Sequence, residues 1–417
     1  MTSAKGGSRV PDDRTWTIAE MAEDFDVTHR TIRHYEELGL LSPERVGTRR
    51  VYRRRDRVRL ELVLRGKRLG FSLEESAQLI NLYESDRGHR GQLETALGTI
   101  EELGRVDQSI GITLSAGVGL GINPILSFGT DEQKQTYLPD LVAGRALAGF
   151  GLTEPDAGSD ASGTRTRAVR DGDEWVVDGA KAFITNSGTD ITSVVTVTAK
   201  TGERAGRPEI SAIMIPSGTP GFTVEAPYDK LGWNISDTHG LTFEGCRVPA
   251  DNLLGEQGNG FRQFLKTLDD GRIAISALAA GLTQRMLELS TEYAKTRMAF
   301  GRPIGANQGV SFQVADLAVM AETSRVLTYK AAWLKDEHDR GRRSMAEVKQ
   351  AASIAKLYTS EAAVSSTRIA TQIFGGNGFM EEYPVARFYR DAKILEIGEG
   401  TSEVQRMVIA RHLGLPS

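Results

Sequence analysis

The run Arg390-Asp-Ala-Lys-Ile-Leu-Glu-Ile-Gly-Glu-Gly-Thr-Ser-Glu-Val-Gln-Arg406 sets one carboxylate, Glu399, between two glycines and just before a Gly-Thr turn that leads into a helix. The bare backbone of Gly398 and Gly400 leaves room for a reactant beside it. A carboxylate desolvated between apolar elements has its pKa raised, which suits it to remove a weakly acidic C–H proton. Taken alone, Gly-Glu-Gly-Thr is most often a turn with a solvated glutamate, so the reading rests on what accompanies it.

Four further segments precede that run. Phe150-Gly-Leu-Thr-Glu-Pro-Asp-Ala-Gly-Ser-Asp160 is a Gly- and Pro-punctuated loop with hydroxyls and free amides. It suits the clasping of a flat ring from one side. Lys181-Ala-Phe-Ile-Thr-Asn186 adds an aromatic face, and Leu268-Asp-Asp-Gly-Arg272 opens a long helix. Arg297-Met-Ala-Phe-Gly-Arg-Pro-Ile304 with Gln308 offers arginine forks that donate in parallel to a diphosphate. Gln372-Ile-Phe-Gly-Gly-Asn-Gly378, read with Thr401, Ser402 and Glu403, provides a glycine pair over which a phosphate or ribose can approach backbone amides.

In this order, from about residue 106 to the end, these segments resemble the acyl-CoA dehydrogenases. The resemblance implies FAD as cofactor and α,β-dehydrogenation of an acyl-CoA thioester to a trans-2-enoyl-CoA. Glu399 is then the base for the α-proton, while the flavin takes the β-hydrogen as hydride. Phe150, Leu152, Thr153 and Ser159 would line the flavin, with Ser159 also touching substrate. Phe183 and Thr185 would stand beside the isoalloxazine, Phe183 where many members carry tryptophan. Asp269, Arg272 and Gly400 would contact substrate. Arg297, Phe300 and Gln308 would reach the pyrophosphate and adenine end of FAD across a subunit interface, with Gln372, Gly376, Thr401 and Glu403 completing the cofactor set. Some relatives place their base on the helix beside Arg272. Gly271 holds that position here, which leaves Glu399 as the only base the motifs offer.

Two departures from the family pattern stand out. Gly398 replaces a tyrosine common just before the base, which opens the acyl pocket or loosens the base. The family also begins with about four more helices before Val106-Asp-Gln-Ser-Ile-Gly-Ile-Thr-Leu-Ser. Here a basic module stands in their place, so the body needs another cover for its apolar faces.

That module is legible on its own. Ile18, Met21, Ala22 and Phe25 form an apolar stripe at helical spacing. Thr28 caps a second helix, which runs to Leu38 and stops at Gly39. Ser72 with Glu75 forms a capping-box pattern for another helix. Residues 28–68 hold 13 Lys/Arg against 5 Asp/Glu, a block of +8 within a chain of net charge −4. A basic block on an acidic body points to an anionic partner for the block alone. The stretch Thr31-Ile-Arg-His-Tyr-Glu-Glu-Leu-Gly-Leu-Leu-Ser-Pro43 resembles the mercury-resistance-regulator (MerR) family. That resemblance implies a helix-turn-helix, a wing from Arg45 to Arg54, and helices at 56–70 and 72–83. Thr28, Arg30, Thr31 and Arg33 would face bases in the major groove. Arg49, Arg50, Tyr52 and Arg53 would meet the phosphate backbone. The alternative is that the module only replaces lost helices as packing.

The whole chain therefore reads as multidomain α+β. The expected order is a disordered tail (1–13), a MerR-type winged helix-turn-helix (14–83) and a linker with an amphipathic helix (84–105). A truncated N-terminal α-domain (106–146), a β-barrel-like middle domain (147–250) and a C-terminal four-helix bundle (251–417) follow. The stripe Leu93, Ala96, Leu97, Ile100 and Leu103 is either a dimer seam or the edge of the next core. With 417 residues, 40% hydrophobic and 25% charged, the composition is that of a soluble globular chain. Cys246 is the only cysteine, which excludes an internal disulfide and, with six histidines, argues against a metal site. No apolar signal core opens the chain, and no uninterrupted apolar stretch is long enough for a membrane span, so a cytoplasmic location is expected. Expected partners are an acyl-CoA, an electron-transfer flavoprotein or other electron acceptor, duplex DNA, and further copies in a homodimer or homotetramer. Two functions compete: an FAD-dependent acyl-CoA dehydrogenase with an attached DNA-binding domain, or a transcriptional regulator whose dehydrogenase body senses acyl-CoA or flavin redox state.

Overall fold

The computed structural model describes residues 15–47, 49–53, 56–57, 59–60, 63–64, 73, 88–204 and 206–415, and the chain divides into two units between Ala96 and Leu97. In the first unit, α1 (Ile18–Asp24) starts at a complete Thr17/Glu20 capping box. Helix α2 (His29–Glu37) starts at Thr28, whose hydroxyl accepts from the Thr31 amide. Gly39, at φ +70°, ends it. Two short strands, β1 (Glu44–Val46) and β2 (Arg49–Val51), form the antiparallel wing. Trp16, Met21, Ile32, Tyr35, Leu40, Leu41 and Tyr52 lie in the core, and all four positions of the α1 stripe pack in or against it. Buried Arg59 donates to the Leu40 carbonyl at 2.7 Å and holds the turn after α2. Most of the two helices expected after the wing lies outside the described residues, as do the tail and residues 84–87.

Helix α3 (Gly88–Val106) is continuous, although its first turns are Gly-punctuated. Leu97 and Ile100 are buried in the core of the second unit, which decides between the two readings of that stripe in favour of core. Helix α4 (Gln108–Ala116), a π-helical turn (Gly117–Ile122) and α5 (Asn123–Phe128) follow as one rod. By length and composition it is the one described helix able to cross a membrane, and half of it is buried within the protein. Val106, Ile110, Leu114 and Val118, four residues apart, are exposed. Together they make an exposed apolar row among the described residues. Helix α6 (Asp131–Val142) begins at a Thr130/Gln133 capping box.

The middle domain is a sheet of β3 (Leu147–Gly151), β4 (Arg167–Asp171), β5 (Glu174–Thr185), β6 (Thr192–Arg204), β7 (Arg207–Pro216), β8 (Phe222–Pro227), β9 (Thr238–Pro249) and β10 (Leu253–Leu254). Its order is β10-β7-β6-β4-β5-β9-β8, with β3 parallel to β6. The end strands β8 and β10 are not paired with each other, so the sheet is open and the expected barrel-like closure is corrected. Short edge strands leave nothing to complete the ring. Val194, Val195 and Val197 on β6 are all fully buried, as expected of a central strand covered on both faces.

The C-terminal domain is helical. Helix α7 (Gly260–Thr296) is buried almost all round in its middle, which makes it the central rod. Helices α8 (Gln308–Asp339) and α9 (Met345–Phe374) pack against it and each other. The fourth segment of the expected bundle is not one long helix. Gly- and Pro-rich sequence breaks it into α10 (Pro384–Ala392), a 3-10 turn (Lys393–Glu396) and α11 (Ser402–His412). The break is what presents residues 397–401 to the core.

Candidate active site

Glu399 lies in the loop between the 3-10 turn and α11. Its backbone is left-handed, at φ +54°, followed by Gly400 at φ +90°. A non-glycine residue there is strained and needs support from its surroundings. That support is explicit. Gln405, fully buried on α11, donates through Nε2 to the carbonyls of Glu399 (3.3 Å) and Gly400 (2.9 Å). Lys356, fully buried on α9, donates to the Gly400 carbonyl at 2.7 Å. Thr401 caps α11 by accepting from the Val404 amide at 3.3 Å.

The strained turn delivers the carboxylate onto α7. A Cβ built on Gly271 would lie 1.9 Å from Glu399 Oε2. The side chain missing at 271 is therefore the space that the carboxylate fills. Burial pushes Glu399 up to about 7, against the opposing pull of Arg272 and Lys356. Among the described residues its Oε2 has no hydrogen-bond partner, and neither has Arg272 Nε nor Gln405 Oε1, all of them buried. Native proteins seldom leave such groups unpaired. Arg272 pairs with Asp269 at 2.9 Å, and Asp269 also meets Lys349 of α9 at 3.3 Å. Asp269 is thus held by two cations and steadies Arg272. Beside Gly398, a Cβ would meet only the Ile394 carbonyl at 3.5 Å, so the space a larger residue would take is open.

A second cluster forms at the sheet. The loop after β3 is fixed by a buried ion pair, Lys181 Nζ to Glu154 Oε1 at 2.7 Å. Lys181 also reaches Thr198 Oγ1, while Glu154 accepts from the amides of Arg165 and Thr166. Burial pushes Lys181 down to about 8 despite Glu154. Burial likewise pushes Glu154 up, but Lys181 and the amide donors outweigh it and leave it below its usual range. The Ala182 amide donates to the Thr153 carbonyl at 2.8 Å, joining the loop to the end of β5. There Phe183 stands at φ +62°, 65% exposed, its ring 5.1 Å from that of Tyr228. Among the described residues the hydroxyls of Thr153, Ser159 and Thr185 make no hydrogen bond, and Ser159 is exposed. An aromatic held outward at a strained position, with uncommitted hydroxyls on its own strand end and on the adjoining loop, fits a flavin ring. Phe150 is a correction. Its side chain is buried and stacked on Phe264 at 3.7 Å, because β3 turns it into the core, so only its backbone is left for a flavin. Leu152 is half-buried, and its carbonyl accepts from Lys181.

A third group stands apart from Glu399. Arg297 and Gln308 are exposed, and Phe300, at φ +52° on the hairpin of β11 (Met298–Ala299) and β12 (Arg302–Pro303), is 99% exposed. Gln372 and Gly376 are exposed near the end of α9, and a Cβ on Gly376 would meet nothing within 4 Å. Glu403 is exposed in the first turn of α11. Among the described residues no hydrogen bond joins Arg297, Phe300 or Gln308 to Glu399 or Phe183.

In the first unit, Arg30 and Arg33 on α2 and Arg49 on the wing are exposed and enter no ion pair among the described residues. The Thr28 and Thr31 hydroxyls bond each other at 2.9 Å as part of the helix cap. Arg50 is tied to Glu36 at 2.8 Å, and exposed Arg53 pairs with Glu44 at 2.8 Å. Tyr52 is a correction. It is fully buried and donates its hydroxyl to Glu36, so it holds the wing to α2 and presents nothing to a phosphate.

Lys356, Gln405 and the Glu154–Lys181 pair escaped the sequence reading. A signal for Lys356 was present. It lies on the α9 stripe with Val348, Ala352, Ala355, Thr359 and Ala363, where a lysine among small residues is out of place.

Comparison with known proteins supports the same division. The C-terminal, middle and N-terminal domain models of acyl-CoA dehydrogenase match residues 258–414, 149–246 and 78–145. The model of the MerR HTH family regulatory protein matches residues 16–82. A probable acyl-CoA dehydrogenase of Bacillus subtilis, YngJ, is 50% identical over 315 residues, covering 75% of this chain and 80% of its own. Butyryl-CoA dehydrogenase from Megasphaera elsdenii superposes with a TM-score of 0.72 at 40% identity, over 85% of this chain and 87% of that one. A chain from a structure of the electron transferring flavoprotein of Acidaminococcus fermentans gives 0.71 at 43%, over 76% and 81%. The FAD complex of PigA gives 0.71 at 34%, over 78% and 82%.

Proposed function

This chain belongs to the acyl-CoA dehydrogenase family, an FAD-dependent oxidoreductase of CH–CH bonds with a MerR-type helix-turn-helix region ahead of it, and we propose that Glu399 is its catalytic base. The observation that carries the assignment is the buried, unpartnered Glu399 carboxylate filling the gap at Gly271. With its pKa raised to about 7, Glu399 is close to the optimum for taking and later releasing a proton near neutral pH.

The chain's own residues divide the work. Oε2 of Glu399 removes the thioester α-proton. Arg272, steadied by Asp269, supplies positive charge beside the base and contacts substrate, together with Ser159 and Gly400. Phe183, Thr153, Ser159, Thr185 and the backbone at Phe150 and Leu152 would hold the flavin ring. Arg297, Phe300, Gln308, Gln372, Gly376, Thr401 and Glu403 would hold the remainder of FAD. The chemistry that bound FAD supplies is acceptance of the β-hydrogen as hydride. An exposed Phe300 and Arg297 favour delivery of that end of the cofactor from one subunit to another, hence a homodimer or homotetramer. The name of the Megasphaera neighbour favours a short acyl chain, and that of the Acidaminococcus structure an electron-transferring flavoprotein as acceptor. A cytoplasmic location accords with these partners.

The test isolates proton removal. Wild type incubated with butyryl-CoA in deuterated water should exchange the α-hydrogen, and Glu399→Gln should lose exchange while retaining FAD. Exchange at the wild-type rate in the variant removes Glu399 from the role. A regulatory reading is favoured by exposed, unpaired Arg30, Arg33 and Arg49 on a helix-turn-helix. It requires duplex binding that weakens with salt as phosphate counterions are released.

A further inference from the structure

Lys356 is the buried charge that the reaction leaves unexplained. It sits on α9 with no solvent exposure, and its ammonium finds a carbonyl, that of Gly400 at 2.7 Å. Among the described residues no carboxylate lies within ion-pairing distance of it. Burying an ammonium without a close counter-ion is costly, and an apolar residue of similar volume would pack there more cheaply. The groups that bear on it come from every neighbouring element. They are Glu399 in the base loop, Arg272 on α7, Glu396 on the 3-10 turn and Glu403 on α11. Glu399 is the largest of these influences.

Its acceptor is no ordinary carbonyl. Glu399 and Gly400 are two successive left-handed residues, at φ +54° and +90°. Lys356 from α9 and Gln405 from α11 grip this dipeptide from two helices. Release of the Gly400 carbonyl would let Glu399 relax to an extended backbone and withdraw its carboxylate from the space at Gly271.

We propose that Lys356 is a positioning residue for the base: its ammonium clamps the Gly400 carbonyl to hold Glu399 over Gly271, and its charge favours the ionised carboxylate ready to take the proton. Once Glu399 has accepted the α-proton, Lys356 remains as a cation facing a neutral acid. That asymmetry favours return of Glu399 to the carboxylate after turnover. Burial pushes Lys356 down to about 8, so it is still largely protonated at neutral pH. The inference rests on Glu399 being the base, and its test keeps the two apart.

The experiment is an infrared difference titration of the full-length holoprotein, with Glu399→Gln identifying the carboxyl band. It reads the protonation of Glu399 without any turnover. Lys356→Met removes the charge and the donor, Lys356→Gln removes the charge but keeps an N–H donor, and Lys356→Arg keeps both. In Met and Gln variants the Glu399 midpoint should rise by about 1 pH unit, as loss of a neighbouring charge does, whereas Arg should hold it near the wild-type value. Anaerobic flavin reduction by butyryl-CoA should fall in Met more than in Gln and recover in Arg. An unmoved midpoint in the neutral variants overturns the proposal. If neither neutral variant folds, the reciprocal measurement decides. Glu399→Gln should lower the Lys356 midpoint, read by NMR of 13C-lysine protein and assigned with Lys356→Arg, by the same amount that Lys356 lowers Glu399, and an unmoved Lys356 midpoint overturns the proposal. If no acyl-CoA reduces the wild-type flavin, the assignment of Glu399 as base fails, while the titration still reports on Lys356.

Discussion

Replacing Glu399 by glutamine should make the protein more stable as pH rises above about 4.5, with the full gain reached once pH passes about 7. Burial raises the carboxyl from its ordinary 4.5 to about 7. At about 1.4 kcal/mol per pH unit, holding the charged form in the folded state costs roughly 3 kcal/mol. The sign follows from where each state releases its proton. The unfolded chain gives up the Glu399 proton near 4.5 and the folded chain near 7. The Glu399 contribution to stability is therefore fullest below 4.5, falls as pH climbs to about 7 and is level beyond it. Glutamine resembles the protonated acid and removes this decline. The measurement is urea unfolding of wild type and Glu399→Gln at pH 5 and pH 8, followed by tryptophan fluorescence. The stability gap should widen in favour of the variant by roughly 2–3 kcal/mol between the two pH values. A gap of equal size at both would mean that the carboxylate is solvated, and the argument for a poised base would go with it.

The remaining predictions test the supports. Gly271→Ala puts a methyl where Glu399 Oε2 sits, 1.9 Å from the built Cβ, so flavin reduction should fall about 100-fold or more with FAD retained, as a misplaced catalytic group requires. Unchanged reduction would mean the carboxylate works elsewhere. Glu154→Gln leaves buried Lys181 without its partner and should destabilise the β-domain by about 3–5 kcal/mol in denaturant titrations, with loss of flavin. Phe183→Ala removes an exposed ring. It should weaken FAD binding by titration while changing stability by no more than about 0.5 kcal/mol. In the first unit, Arg33→Ala should relax sequence preference in duplex binding, whereas Tyr52→Phe should lower thermal stability by removing one of the two donors, Tyr52 and Arg50, that hold Glu36. Equal loss of affinity for all duplexes in Arg33→Ala would assign it to phosphate.

Much of the site could be read from the sequence where chemistry depends on residue type in a short run. Glu399 between glycines is one case, and the Thr28 cap of α2 is another, since it is a local interaction spanning four residues. What escaped depends on contacts distant in sequence. Lys356 lies far along the chain from Gly400, and Glu154 from Lys181, so nothing local marks either pair. Phe150 and Tyr52 failed for a related reason. Each lies in a motif that surrounds a binding surface, but its own side chain is turned inward, Phe150 by β3 and Tyr52 by its bridge to Trp16. Closure of the sheet also lay beyond reach, because it depends on whether the two edge strands meet, and β10 has only two residues.

The proposed chemistry is a flavin that an acyl-CoA thioester reduces with Glu399 as base. The direct measurement is anaerobic addition of butyryl-CoA to the FAD-replete full-length protein, followed by flavin absorbance, in wild type and Glu399→Gln. The wild-type flavin should bleach with release of the trans-2-enoyl-CoA, and the variant should stay yellow with its FAD bound. Bleaching of the variant at the wild-type rate, or a wild-type flavin that neither short nor long acyl-CoA reduces, would contradict it.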